Sequence, residues 1–325
     1  MTAFALALAS VTVPMDPGSY HVRQLPGSPV FYAGRDALGT ATLLVRTVGA
    51  GRMVPLKLAG IEARFSVPCH VEEPSGVQRT ESLTVVMCLS HEREVEGYFA
   101  WVVDLLVSVL GPLPTSAAVA SAINELVDLF QKLRRPPRKP VVGLIGELLV
   151  IASARNPSAA ITAWRMDTDE RYDFSAQNLR VESKASTTRS RSHFLSAEQA
   201  DPPPGTVGLL ASAFIEQASG GTSLAQFLDV IEARLPGHAD VSRLRGIVAD
   251  TLGVDLPGAF DWTFDLAGAR SSLAWFDLRT VPAIRAPVPL GVSGVRFVTD
   301  LSACATATVA DVLTVSPLAR TVLPF

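Results

Sequence analysis

Two adjoining stretches decide the fold: PVVGLIGELLVIASAR (140–155) and AWRMDTDERYDFSAQNLRVESKAS (163–186). The apolar spacing of the first stretch predicts a helix. The β-branched and aromatic runs of the second predict two short strands joined by a turn at Ser175–Asn178. A buried strand, TVGLLASAFIEQ (206–217), and an amphipathic helix at 222–235 follow. A helix, three strands and a helix in this order describe an α/β layer.

Glu147 lies inside the first stretch, in a helix that is apolar nearly all round. A buried carboxylate costs several kcal/mol unless it has a partner. In the alternative interpretation, Glu147 faces solvent from a narrow polar stripe, although its apolar neighbours leave little room for one. Gly143 and Gly146 weaken the helix and therefore suggest that another backbone approaches it closely.

Asp173, Glu182 and Lys184 are the ionisable residues of the predicted hairpin. Residues i and i+2 of a strand share a face, so Glu182 and Lys184 project together, and a hairpin would bring Asp173 near them. Two carboxylates suit Mg²⁺, and the lysine would orient a hydroxide or stabilise charge on an attacked phosphate. The chain has 24 arginines and four lysines, so a lysine is notable here. The alternative is a surface hairpin with a cross-strand ion pair.

Cations and hydroxyls follow the hairpin. Arg189 and Arg191 alternate with Ser and Thr, which suits phosphate contacts but equally suits a solvated loop. The cluster Arg134, Arg135, Arg138 and Lys139 could also meet a nucleic-acid backbone, or could simply be a charged helix end before a linker.

Composition excludes several classes of protein. The 325 residues are 48% hydrophobic with a net charge of −3, which excludes a disordered tail and a globally basic coat for nucleic acid. Three scattered cysteines exclude a disulfide framework and fit a reducing, cytoplasmic setting. No uncharged apolar run reaches the length of a membrane span. The apolar start MTAFALALASVTV lacks a basic region before it, so we expect it to be part of the folded core.

The rest of the chain suggests two further regions. Residues 1–90 are mostly strands and turns, and two helices follow before the break RRPPRKP. The C-terminal part contains a helix at 239–252 and returns to strands at WTFDL, LAWFDL and VRFVTDL. We therefore predict an N-terminal β-rich domain with two helices at 1–135, an α/β core at 136–235, and a strand-rich α+β extension at 236–325.

Four motifs together resemble the PD-(D/E)XK nuclease superfamily, and in particular one branch of PD-(D/E)XK-motif proteins. They are GLIGEL (143–148), Tyr172-Asp173-Phe174, Val181-Glu182-Ser183-Lys184 and HFLSAEQ (193–199). The tail at 273–301 is also similar to that branch. The chain departs from the motif's name by having Tyr172 where the name has proline, which leaves the carboxylate in place.

The resemblance implies roles for these residues. Asp173 and Glu182 would bind Mg²⁺, for which Mn²⁺ could substitute, and Lys184 would be the catalytic cation. Glu147 would orient a metal-bound water or support the ligands. Gln199 would anchor Lys184 or touch the scissile strand, or else only cap a helix with Ser196. Further DNA contacts are predicted for Arg189, Arg191 and His193.

The resemblance thus implies an α/β restriction-endonuclease-like core, a mixed sheet flanked by helices. The expected function is Mg²⁺-dependent hydrolysis of DNA phosphodiester bonds by an endonuclease, in a bacterial restriction or phage-defence system. DNA is the expected partner, with a possible homodimer and possible methyltransferase or ATPase partners. The alternative is a non-cutting DNA-binding or scaffold subunit that keeps the nuclease fold. Co-purification with such partners and no cleavage by the isolated chain would favour that alternative.

Overall fold

The computed structural model describes residues 3–49, 53–58, 60–133, 139–165, 170–285, 289–308 and 323. The chain divides into two units, Met1–Arg135 and Pro136–Phe325. Each unit combines helices with a sheet, so the prediction of a mixed α/β protein is confirmed. The restriction-endonuclease-like core and the boundary at 235 stay predictions.

The first unit is built around a closed sheet. Its strands are β1 (Ser19–Gln24), β2 (Phe31–Asp36), β3 (Ala41–Val45), β4 (Leu56–Leu58), β5 (Ile61–Glu72) and β6 (Gln78–Cys88). Strands β1, β2, β3, β6 and β5 are neighbours in that order, and β1 also pairs in parallel with β5. Five strands therefore close into a barrel-like sheet, while β4 pairs with β5 alone among the described strands.

Alternating side chains fill the interior of this sheet. Tyr20, Tyr32, Leu44, Val71 and Leu83 belong to one buried cluster to which five strands contribute. The long strand β5 shifts register against β6 between Arg64 and Val67, which is a bulge. A bulge bends the strand, which helps a small sheet to close.

Three helices accompany the barrel-like sheet: α1 (Ala3–Leu8), α2 (Arg93–Val109) and α3 (Ser116–Leu133). In α1, Phe4 is fully buried and meets Phe99 of α2 edge to face, with ring centroids 5.6 Å apart. The apolar start of the chain is therefore part of the folded core, as predicted. Among the described residues, no helix combines the length and the apolar character needed to cross a membrane.

The second unit carries the two decisive stretches. Its elements up to residue 214 are α4 (Val141–Ser153), α5 (Pro157–Ala163), β7 (Phe174–Ala176), β8 (Leu179–Ser186), β9 (Ser192–Ser196), α6 (Ala197–Ala200) and β10 (Val207–Phe214). The remainder are β11 (Gln217–Ser223), α7 (Leu224–Glu232), α8 (His238–Leu252), α9 (Leu256–Phe260), β12 (Thr263–Phe264), α10 (Leu266–Ser272), β13 (Ala274–Asp277) and β14 (Arg296–Asp300). The helix, the hairpin and the buried strand predicted at 140–217 are all present.

A four-stranded mixed sheet runs in the order β13-β10-β8-β7. Strands β8 and β10 are parallel, and β7 and β13 are antiparallel to their neighbours. The hairpin between β7 and β8 turns at Gln177, whose φ of 43° is the left-handed conformation that such a turn needs. Outside this sheet, strands β9 and β14 pair with each other as an antiparallel ribbon. The C-terminal residues thus share their sheets with 136–235.

Helix α4 lies close against β8. A Cβ atom on Gly146 would come within 3.0 Å of the Ala185 Cβ and 3.1 Å of the Ser183 Oγ. These distances are tighter than most Cβ contacts, so the glycine favours the close approach of β8, as expected for Gly146. Gly143 shows no such contact, because its nearest neighbour is the Lys139 side chain at 3.8 Å. The packing places Glu147 beside the hairpin.

Candidate functional site

Glu147 is fully buried in α4, with 1% of its surface exposed. Its Oε2 accepts a hydrogen bond from the Trp164 indole at 2.6 Å, and its Oε1 accepts one from the Lys139 ammonium. Burial, and after it the charge of Asp173, raise the pKa of Glu147 to about 7. The buried carboxylate expected from the sequence is present, and its partners are an indole and a lysine.

Asp173 directly precedes β7 and is also buried. Its Oδ2 accepts the main-chain N–H of Ser183 at 2.9 Å, and its Oδ1 accepts a hydrogen bond from Lys139 Nζ at 2.8 Å. Arg165 Nε lies 3.5 Å from the same Oδ1. Burial opposes ionisation of Asp173, but the charges of Lys139 and Arg165 outweigh it and lower the pKa of this carboxyl. Asp173 is therefore the ionised member of the cluster.

Glu182 and Lys184 share one face of β8, as the spacing predicts. Lys184 Nζ lies 2.7 Å from Glu182 Oε1. The other oxygen, Oε2, is buried and has no hydrogen-bond partner in the described part of the chain. Burial, and then the charge of Asp173, raise the pKa of Glu182 to about 7. One carboxylate oxygen of the site is thus left without a donor.

These side chains open into a cavity of about 490 Å³. Asp173, Glu182 and Lys184 line it together, so the structure brings these predicted site residues to one place. Four further cations also line the cavity, namely Lys139, Arg165, Arg171 and Arg296. The lining also contains two exposed acids, Glu170 and Glu198, so five cations face four carboxylates, of which Asp173 and Glu182 are buried. This mixed lining suits an anionic ligand that meets a cation bound to the buried carboxylates.

Gln199 lines the same cavity and also caps a helix. Its main-chain N–H donates to Ser196 Oγ at 3.1 Å, and its Oε1 accepts the Ser196 N–H at 3.1 Å. This is the capping box that the sequence offered as the alternative. Its Nε2 donates to the Arg171 carbonyl at 3.2 Å. Gln199 is therefore a cap whose side chain also faces the site.

Arg189, one of the residues predicted to contact DNA, is not among the residues that line the cavity. Its side chain is 80% exposed and pairs with Glu216 at 2.7 Å. An exposed guanidinium remains available to a phosphate, so the DNA contact of Arg189 stays a prediction.

Arg191 directly precedes β9 and His193 belongs to it, and neither residue is part of the cavity lining. Arg191 donates to both the carbonyl and the hydroxyl of Ser212 at 2.8 Å and stacks 4.5 Å from the Phe214 ring centroid. His193 is buried, its Nε2 lies 2.8 Å from Ser212 Oγ, and burial lowers its pKa to about 4. Through these contacts both side chains link the start of β9 to Ser212 of β10. Their DNA contacts stay predictions.

The sequence reasoning missed three contacts of the site: Lys139, Trp164 and Arg165. Lys139 appeared only as part of a basic cluster, whose other members, Arg134, Arg135 and Arg138, lie outside the described residues. One available signal was the scarcity of lysine, because two of the four lysines in the chain line this cavity. Trp164 stacks on Phe174 with centroids 6.3 Å apart, which holds its indole beside Glu147.

The site offers a divalent cation two protein carboxylates, Asp173 and Glu182. Among the described residues, no group of three or more His, Cys, Asp or Glu side chains is arranged to hold a metal ion. Mg²⁺ usually takes one or two protein carboxylates and completes its shell with water and phosphate oxygens. Asp173 and Glu182 supply two carboxylates, and the unpartnered Oε2 of Glu182 is a buried oxygen that a cation would satisfy. The residues present therefore fit such an ion.

Comparison with known proteins gives one match. No curated protein and no solved structure matches the chain. The family model described as "Putative PD-(D/E)XK family member, (DUF4420)" matches residues 18–302, which includes Glu147, Asp173, Glu182 and Lys184. This range covers most of the chain, in both of its units. The protein therefore belongs to this PD-(D/E)XK family.

Proposed function

We propose that the protein is a metal-dependent DNA endonuclease of a bacterial restriction or phage-defence system. The observation that carries this proposal is the unpartnered, buried Oε2 of Glu182 beside the ionised Asp173, in a cavity lined by five cations. Membership of a PD-(D/E)XK family supports a nuclease. The defence context rests on the family resemblance alone.

Asp173 and Glu182 would hold the divalent cation, which when bound would supply Lewis-acid polarisation and neutralise charge on the attacked phosphate. Lys184 already contacts Glu182 and faces the cavity, so its ammonium is placed to stabilise negative charge that develops on a phosphate. Arg171 and Arg296 line the cavity and are exposed, which suits attraction of a nucleic-acid backbone. All five of these residues line the same cavity.

The direct test is incubation of the full chain with supercoiled plasmid and with modified and unmodified phage DNA. We expect nicked or linear products with Mg²⁺ or Mn²⁺ and none with EDTA. Lys57→Ala is a matched control for Lys184→Ala, because the Lys57 side chain is 74% exposed and lies in the other unit. Robust cutting in EDTA would contradict the proposal.

A second candidate function, a DNA-binding subunit that does not cut, is favoured by one observation. Both oxygens of Asp173 already accept hydrogen bonds, from Ser183 and from Lys139. A carboxylate satisfied in this way is typical of a structural role. Retarded migration of DNA on a gel, with no cleavage under any metal, would select this candidate.

A further inference from the structure

Lys139 makes two contacts to which the proposed function assigns no role. Its ammonium bridges two buried carboxylates, donating to Glu147 Oε1 and, at 2.8 Å, to Asp173 Oδ1. The side chain is 28% exposed and lines the cavity, so it reaches the carboxylates from the side open to solvent. Glu147 does not line the cavity and lies behind this ammonium. Lys139 therefore contacts Glu147 and Asp173 from the cavity side of the acidic cluster.

The two oxygens of Asp173 differ in what holds them. Oδ2 accepts a main-chain N–H from β8, which the hairpin keeps in place. Oδ1 accepts its hydrogen bond from a lysine side chain, which rotates freely once its ion pairs are broken. A divalent ion that binds Asp173 from the cavity would need the charge that Lys139 now neutralises. Two cations on one buried carboxylate repel each other strongly, because the surroundings screen them weakly.

The two site lysines thus have different positions. Lys184 contacts Oε1 of Glu182 and leaves Oε2 without a partner. Lys139 contacts Asp173 on the oxygen that the backbone does not hold. A cation bound between Asp173 and Glu182 can therefore coexist with Lys184 more easily than with Lys139.

We propose that Lys139 is a tethered cation that competes with a divalent metal ion for Asp173. In the metal-free protein its ammonium neutralises Glu147 and Asp173, and metal binding displaces it. Glu147 keeps its hydrogen bond from Trp164 when this happens. The inference rests on the proposed metal site and adds that the protein's own lysine sets the affinity of that site.

The first test measures binding of Mn²⁺ to the full chain by calorimetry, without DNA. Lys139→Gln keeps an N–H donor and removes the charge, so it should bind Mn²⁺ about tenfold more tightly than the wild type, within the usual range of coupling between competing ligands. Lys139→Arg keeps the charge and should bind like the wild type. Circular dichroism melts establish that each variant is folded.

Arg165→Gln is the matched control, because Arg165 lies 3.5 Å from the same two carboxylates. It should tighten Mn²⁺ binding less than Lys139→Gln does. Equal or weaker binding by Lys139→Gln than by the wild type would overturn the competition alone. Equal tightening by the two variants would also overturn it, since any nearby charge would then suffice. No Mn²⁺ binding by any of the proteins would overturn the metal-dependent function as well.

A second test uses the wild type and needs no variant to fold. Brief acetylation followed by peptide mass spectrometry reports how reactive each of the four lysines is. Displacement predicts that Mn²⁺ increases acetylation of Lys139 several-fold. Lys57 is the internal control and should react equally with and without metal, since it is 74% exposed. Unchanged or reduced labelling of Lys139 at saturating Mn²⁺ would overturn the proposal.

Discussion

Two strands of this protein carry an acid two residues before a cation, and they form different environments. Glu62 and Arg64 lie on β5 of the barrel-like sheet, and Glu182 and Lys184 lie on β8 of the second unit. In both pairs the nitrogen is 2.7 Å from the carboxylate oxygen, and both acids are buried. The pKa of Glu62 is lowered, whereas that of Glu182 is raised to about 7.

The neighbours of each pair explain the opposite shifts. The hydrogen bond from Arg64 is the main cause at Glu62, and Lys57 adds a second positive charge 4.0 Å away. Both of these cations are well exposed, so the ion pairs of the buried Glu62 are open to solvent on their cation side. At Glu182, burial is the main cause and the charge of Asp173 is the second. The spacing of acid and cation is therefore common to an ion pair with an exposed cation and to a candidate active site.

The largest contrast is expected in catalysis. Lys184→Ala should reduce DNA cleavage by about 100-fold or more, as loss of a group that stabilises developing charge does. Arg64→Ala should leave cleavage unchanged. Plasmid nicking rates with Mg²⁺ measure both.

Lys184→Arg sharpens the same contrast. At position 64 an arginine forms the corresponding ion pair with its glutamate. A planar guanidinium does not replace a compact ammonium in a buried site. We therefore expect no rescue of cleavage. Full activity of the Arg variant would show that Lys184 is an ordinary ion-pair partner, like Arg64.

Stability should change in opposite directions in the two regions. Glu182→Gln removes a buried charge that has one unpartnered oxygen, so it should stabilise the metal-free protein at pH 8 by about 1–3 kcal/mol. Glu62→Gln should destabilise it by about 1 kcal/mol or less, because it breaks an ion pair near the surface. Urea unfolding in EDTA measures both changes. A destabilised Glu182→Gln protein would mean that Glu182 is a well-compensated ion-pair residue.

The pH dependence of these differences should also be opposite. The pKa of Glu182 is about 7 in the folded protein and near 4.5 unfolded, so the stability it contributes is present below pH 4.5 and lost as the pH rises through 7. Glu62 has a lowered pKa, so its contribution is present above pH 4.5 and lost in more acidic solution. The advantage of Glu182→Gln over the wild type should therefore grow between pH 5 and 8. An advantage independent of pH would contradict the assigned shift.

The last comparison concerns the two arginines after the hairpin, where the expected change in DNA binding is small. Arg189→Ala should reduce the slope of log affinity for DNA against log salt by about 0.9 and leave the free energy of unfolding nearly unchanged. Arg191→Ala should lower stability by about 1–3 kcal/mol, because it loses hydrogen bonds to Ser212. Filter binding over a salt series and urea unfolding separate the two. An unchanged slope for Arg189→Ala would indicate a solvated loop.

Much of the site was predictable because it depends on local geometry. Residues i and i+2 of a strand share a face, so Glu182 and Lys184 project together wherever the strand lies. The short turn after β7 places Asp173 next to them, since Phe174 pairs with Val181. The apolar surroundings of Glu147 required burial, and the capping box at Ser196 follows from spacing within one turn.

Other features depend on contacts between residues that are far apart in the chain. Strand β1 closes the barrel-like sheet by pairing Ser19 with His70, which lies far along the chain. Lys139 reaches Asp173 across 34 residues, and Arg191 reaches Ser212 across 21. The sequence by itself determined which carboxylates and which strand lysine share a face, because backbone periodicity is a local property. Only the tertiary structure decided that a second lysine, Lys139, neutralises Glu147 and Asp173, because these ion pairs exist only where the N-terminal end of α4 packs beside the hairpin.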